Sequence, residues 1–168
     1  MPTSRRKEVI NYYVNKLRTL AATSGIIVTE EGEQLLTEDG LFVLFTEQTK
    51  NNKDIYNNVF RGIKYLDQIN DFPCIYLQAG QEVFNYDSKG STSASMTIML
   101  RVYTYEENAM HTLEEFVEDI SNKIDRTDYT DRNRIIESTV TSIDTDNGLL
   151  DPYGLAEIRL DVIYDVED

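Results

Sequence analysis

Two residue types that most often carry enzymatic chemistry are scarce in this chain, which has one cysteine, Cys74, and one histidine, His111, among 168 residues. A cysteine nucleophile needs a base to take its proton. Cys74 stands between Pro73 and Ile75 at the head of an apolar stretch, the setting of a small buried apolar residue. His111 falls where a helix with a charged outer face begins. A lone cysteine forms no intrachain disulfide, so the chain needs no oxidising compartment.

Carboxylates are abundant: thirty Asp and Glu. With so many, a pair by itself singles out no glycosidase or protease site. Two groupings have metal-like spacing. Asp144-Thr145-Asp146-Asn147-Gly148 begins like a calcium loop, but an EF-hand has Gly at position six and Glu at twelve, where this chain has Leu149 and Leu155. Asp125, Asp128 and Asp131 are evenly spaced, yet Arg and Thr interleave them and the segment reads as a solvated loop. No Gly-rich loop leads into Lys-Ser or Lys-Thr, and no Gly-x-Ser-x-Gly elbow is present. The expectation is a protein without catalytic residues, metal or cofactor.

Charge narrows the partners. Sixteen Lys and Arg against thirty acids give a formal charge of -14, so most of the surface repels phosphate backbones and anionic lipid. The imbalance is uneven: residues 1–20 carry five basic groups against one acid, and residues 106–168 carry five against eighteen. Tyr103 and Tyr105 beside Arg101 could stack single-stranded bases, but the basic groove this requires is absent at such a net charge. A sheet surface suited to protein contact is the better reading of those residues.

The elements that position these groups follow from periodicity. Ile10, Tyr13, Val14, Leu17 and Leu20 recur at helical spacing over residues 4–22, with Ser24-Gly25 as a stop. Arg5, Arg6 and Lys7 lie in its first turn, against the preference of the helix dipole for acids there. Residues 26–56 read as an extended arm or insertion, with short strands at 26–28 and 41–45. The patch at 41–45, which includes Phe42 and Leu44, is too apolar to stay wet. Strands follow at 59–66, 74–84 and 96–103, the last alternating Met96, Ile98, Leu100 and Val102 with Thr97, Met99, Arg101 and Tyr103, and residues 85–95 make a polar hairpin tip. Met110, Leu113, Val117, Ile120 and Ile124 set a second amphipathic helix over 107–125. A closing hairpin pairs 134–144 with 155–164 across a turn containing Gly148, Pro152 and Gly154. The fold class is α+β: a mainly antiparallel sheet of four or five strands with two helices packed on one face, plus the arm, in a single domain spanning 1–168. No stretch approaches the roughly 20 apolar residues of a membrane span, and the polar N-terminal helix argues against a secretion signal, so synthesis in a cytoplasm is expected.

The run from Thr141 through Gly148, Leu149-Leu150-Asp151-Pro152-Tyr153-Gly154 and on to Ile158 resembles the closing segment of tail terminator proteins of long-tailed phages. Upstream, Ile69-Asn70-Asp71-Phe72-Pro73, the strand after it, the polar hairpin, the strand ending Arg101-Val102-Tyr103 and the acidic helix are similar to the same family in order and spacing. The resemblance covers residues 55–165 and leaves 26–56 longer than the family pattern. It implies a non-enzymatic virion protein that forms a ring, usually of six copies, on the head-proximal end of the tail tube. The ring stops tube polymerisation and offers a surface to the head connector, while genome DNA passes through it without specific binding.

A closed heterologous ring needs two unlike patches on each subunit. Arg5, Arg6 and Lys7, the apolar Phe42 and Leu44, and Arg101 with Tyr103 are the expected interface residues. Asp144, Asp146 and Asp151 are expected at the lumen or rim, where acids repel DNA. The competing readings are another neck or tail-completion protein of this fold and a small acidic module that binds a basic protein.

Overall fold

The computed structural model describes residues 5–23, 52–86, 92–125 and 135–166. The expected strands at 26–28 and 41–45, with Phe42 and Leu44, lie outside the described residues, as do Asp128 and Asp131. Helix α1 (Arg6–Thr23) and the short helix α2 (Asn52–Asn57) precede strand β1 (Val59–Arg61). Strands β2 (Cys74–Tyr86) and β3 (Thr92–Tyr105), helix α3 (Ala109–Ile124), and strands β4 (Ile135–Thr145) and β5 (Tyr153–Val166) complete the order. The five strands form one sheet in the order β1-β2-β3-β5-β4, antiparallel except for the parallel pair β1 and β2. This is the expected α+β class at the upper strand count.

Alternation drives the core. On β3, Ala94, Met96, Ile98, Leu100 and Val102 are buried, and on β5 Ala156, Ile158, Leu160, Val162 and Tyr164 are buried, as a half-covered strand of period two requires. These residues share one buried cluster with Ile10, Tyr13, Val14 and Leu17 of α1, Ile55 and Tyr56 of α2, and Leu113, Phe116, Val117, Ile120 and Ile124 of α3. Among the described residues three helices therefore contribute to the core, where two were expected. The third is α2, whose residues 52–56 fell inside the expected arm. Six residues are too few to show a helical period, so only burial of Ile55 and Tyr56 reveals it. The Leu20 side chain lies outside the described residues.

The expected strand over 59–66 is also shortened. β1 has three residues, and Gly62, at φ 94°, turns the chain away where an L side chain is disfavoured. A parallel pair needs a crossover of about a dozen residues. Residues 62–73 supply it and cover the second sheet face, where Phe60, Leu66, Ile69 and Phe72 pack with Cys74, Tyr76, Tyr103 and Leu155.

Both sheet edges carry a charged plug. On the β1 side, where β2 outruns its partner, Arg6 donates to the Ala79 carbonyl at 2.7 Å. On the β4 side the Asp125 carboxylate accepts from the Val140 N–H at 2.9 Å, and register shifts interrupt the β4–β5 pairing near Ile135 and Val140. Occupied edge groups and bulges are the usual protection against unwanted strand addition. Arg18 adds a latch, donating through Nε and Nη2 to the Val59 carbonyl at 3.2 and 2.6 Å, which ties α1 to β1.

Candidate assembly surfaces

Cys74 is fully buried on the sheet face opposite the helices. Burial, with the Asp71 carboxylate adding to it, pushes its thiol up to about 12. His111 is exposed on α3 and pairs with Glu115, 3.5 Å away and one helical turn on. The two groups occupy opposite sides of the sheet, so they form no dyad. Two tyrosines are paired with carboxylates: Tyr56 donates to Asp119 and Tyr164 to Glu82. Burial, reinforced by those acids, raises both phenols well above their ordinary range, which makes them structural donors. No helix among the described residues is long and apolar enough to cross a membrane.

The expected outward face of Arg101 and Tyr103 needs correction. Tyr103 is only 2% exposed, its hydroxyl donates to the Lys64 carbonyl at 2.8 Å, and its ring meets Tyr76 edge-on at 6.1 Å. The reason is the crossover over 62–73, which alternation on β3 alone does not report. Arg101 is directly opposite Glu157 on β5 and donates to it at 3.2 Å, a half-buried cross-strand pair. Exposed aromatic area lies instead at Tyr65 and Tyr86 and in a cluster at one end of the sheet. There Tyr105 and its register partner Tyr153 stand 4.7 Å apart with Phe72 within 5.8 Å of each, and Tyr105 is 54% exposed.

The acidic loop has an internal purpose. Asp146 accepts through Oδ2 from the Leu150 N–H at 3.1 Å and through Oδ1 from the Leu155 N–H at 3.0 Å. The calcium-like opening of the motif is thus a side-chain cap that ties the turn back to β5. Asn147 and Gly148 both take positive φ, and the backbone closes through Leu149 N–H to Asp146 O and Tyr153 N–H to Leu150 O. This firmly built turn holds Leu149 at 86% exposure and Leu150 at 38%. Covering such a side chain contributes about 1.5–3 kcal/mol. Asp144 and Asp151 flank it and are exposed. The motif was legible, but the leucines held in water were not, because hydrophobic type predicts burial.

Of the expected basic group, Arg6 serves the β2 edge as described, Arg5 lies 3.9 Å from Glu8, and Lys7 is exposed. Arg6, Lys7 and Arg61 line an open groove of about 710 Å³ together with Ala79 and the buried Ile10 and Leu77. Arg61 donates to the Asn11 amide oxygen at 3.0 Å, a neutral partner that leaves its charge in place. Nothing in the sequence joined Arg61 to the α1 cations; the parallel β1–β2 pair does so.

The described residues form a single-sheet α+β fold with a buried cysteine, occupied sheet edges, a basic groove and an exposed apolar turn, and they bring together no catalytic dyad of Cys74 and His111. Residues 43–168 match the family described as Bacteriophage Tail Tube Terminator Protein, and the chain belongs to that family. The tail tube terminator protein p142 of Escherichia phage T5 is 32% identical over 123 residues, covering 66% of this chain and 76% of that protein. A solved chain from the virion of a native gene transfer agent particle aligns with 67% of this chain and 81% of its own length, at 15% identity and a TM-score of 0.43. The family match begins at residue 43, so the later part of the expected 26–56 insertion lies within the family's own extent. The chain is a virion tail component and not an enzyme.

Proposed function

We propose that this protein forms a ring, of six copies, on the head-proximal end of the tail tube, where it ends tube polymerisation and presents the docking surface for the head connector. The observation that carries the ring reading is the presence of two unlike, complementary surfaces on one chain: the groove of Lys7 and Arg61 and the acid-flanked leucine turn. Unlike patches on one subunit favour head-to-tail closure over a two-fold dimer. Of the acids expected at the lumen or rim, Asp146 is spent on its turn, and Asp144 and Asp151 are assigned to the rim, near where subunits meet. With a net charge of -14 per copy, a bore lined by acids repels the genome and lets it pass. Assembly takes place in the host cytoplasm.

The test is electron microscopy of the tube protein polymerised with and without this protein. Tubes of limited length, capped at one end by a ring of six 19.4 kDa copies, are expected. Unlimited tube growth in its presence overturns the terminator reading. A chain that stays monomeric both alone and on tube ends, yet binds a basic protein, favours the acidic binding module instead.

A further inference from the structure

We propose that the Leu149-Leu150 turn of one copy seats in the Lys7–Arg61 groove of the next, and that this contact closes the ring; the inference rests on the ring reading above. The turn is preorganised, since Asp146 accepts from Leu150 N–H and Leu155 N–H and the backbone bonds of Leu149 and Tyr153 close the loop. It therefore presents Leu149 without a large ordering cost at contact. Its apolar tip is flanked by the exposed acids Asp144 and Asp151. The groove offers the complement: half-buried Ala79 and the exposed Lys7 and Arg61, whose aliphatic stems supply apolar area beside their charges, while Ile10 and Leu77 in its lining are themselves buried. An apolar plug with acidic flanks fits a groove of basic side chains with aliphatic stems, and charge sets the register of such a contact.

The two surfaces belong to different parts of the sheet. The groove lies on the β1 side beside Leu77–Ala79 of β2, and the turn caps the ends of β4 and β5, the two strands at the other side of the sheet. A copy therefore cannot insert its own turn into its own groove, whereas a neighbour can, and each copy both gives and receives one contact. Met110 of α3 supports the turn from within its own chain, its Cγ lying 3.5 Å from where a Gly148 side chain would start.

The experiment measures ring assembly by native mass spectrometry and by electron microscopy on tube ends. Leu149→Asp and the pair Lys7→Glu with Arg61→Glu are each expected to raise the concentration for half-assembly by about tenfold or more, with unchanged circular dichroism. Combining Arg61→Glu with Asp151→Lys is expected to recover part of that loss. A Lys7→Cys, Leu149→Cys chain is expected to give a disulfide-linked ladder under oxidation, where either substitution alone gives none. Wild-type assembly by the Leu149→Asp chain overturns this contact and leaves the ring reading standing. Intact Leu149→Asp rings that no longer bind tubes overturn it too, assigning the turn to the tube protein. If the wild-type chain forms no ring alone or on tube ends, the ring reading fails and this contact with it.

Discussion

Replacing Gly154 by alanine isolates the point where strand, strand and helix converge. Gly154 opens β5 directly opposite Thr104 on β3, under the first turn of α3. A Cβ there would lie 2.5 Å from Thr104 Oγ1, 3.2 Å from the Ala109 carbonyl oxygen and 3.4 Å from Ala109 Cβ. The glycine is needed for close approach, not for turn geometry. Overpacking of this kind costs about 1–3 kcal/mol. The buried Thr104 hydroxyl, which donates to Ala109 O at 3.3 Å, must swing away, and its lost hydrogen bond costs about 1 kcal/mol more. Lower entropy of the unfolded alanine chain offsets about 0.4–1 kcal/mol. The net expectation is a loss of about 2–3 kcal/mol, which at this chain length lowers Tm by about 5–10 °C. The assay is urea unfolding of Gly154→Ala, Thr104→Ala and the double variant. Removing Oγ1 removes the closest clash, so the double variant should be more stable than the sum of the single effects by about 1 kcal/mol or more. A Gly154→Ala chain within about 0.5 kcal/mol of wild type, or strictly additive effects, would refute the reasoning.

Three further outcomes follow from the same structure. Asp146→Ala should cost about 1–2 kcal/mol through the loss of two backbone N–H contacts, with faster hydrogen exchange at Leu150 and Leu155 as the specific sign. Leu160→Ala, at a fully buried β5 position, should cost about 2–5 kcal/mol in urea unfolding, and a smaller loss would mean the helices close over the gap. The Cys74 thiol is held at about 12 in the folded chain against an ordinary 9.0. Its neutral form therefore supports folding fully below pH 9, and that support is lost as pH rises toward 12, at up to about 1.4 kcal/mol per pH unit. The buried Tyr56 and Tyr164 act in the same direction. The urea midpoint of Cys74→Ala should accordingly fall less steeply than that of wild type from pH 9 to 11.

Regular alternation made much of the fold legible. Met96 to Val102 and Ala156 to Tyr164 declared their buried faces because a pleated strand covered on one side must alternate, and Leu113 to Ile124 declared α3 by its helical stripe. The family was legible too, through the ordered segment ending at Ile158. What stayed hidden had no period of its own: α2 is six residues, β1 is three residues, and the crossover over 62–73 is irregular. That crossover reversed the reading of Tyr103, since a strand pattern shows which residues share a face but not what covers it.

The sequence by itself determined the class of the protein: acidic, single-sheet α+β, without a catalytic set and similar to tail terminators. Those properties depend on composition, local periodicity and chain order. Only the tertiary structure decided which residues meet. It brought Arg61 to Lys7 across the parallel β1–β2 pair, spent Arg6 on the β2 edge, and turned Asp146 inward to hold Leu149 out in water. The first two pairings join residues tens of positions apart and the third closes a turn through a side chain, so in each case packing and not local periodicity sets the distance.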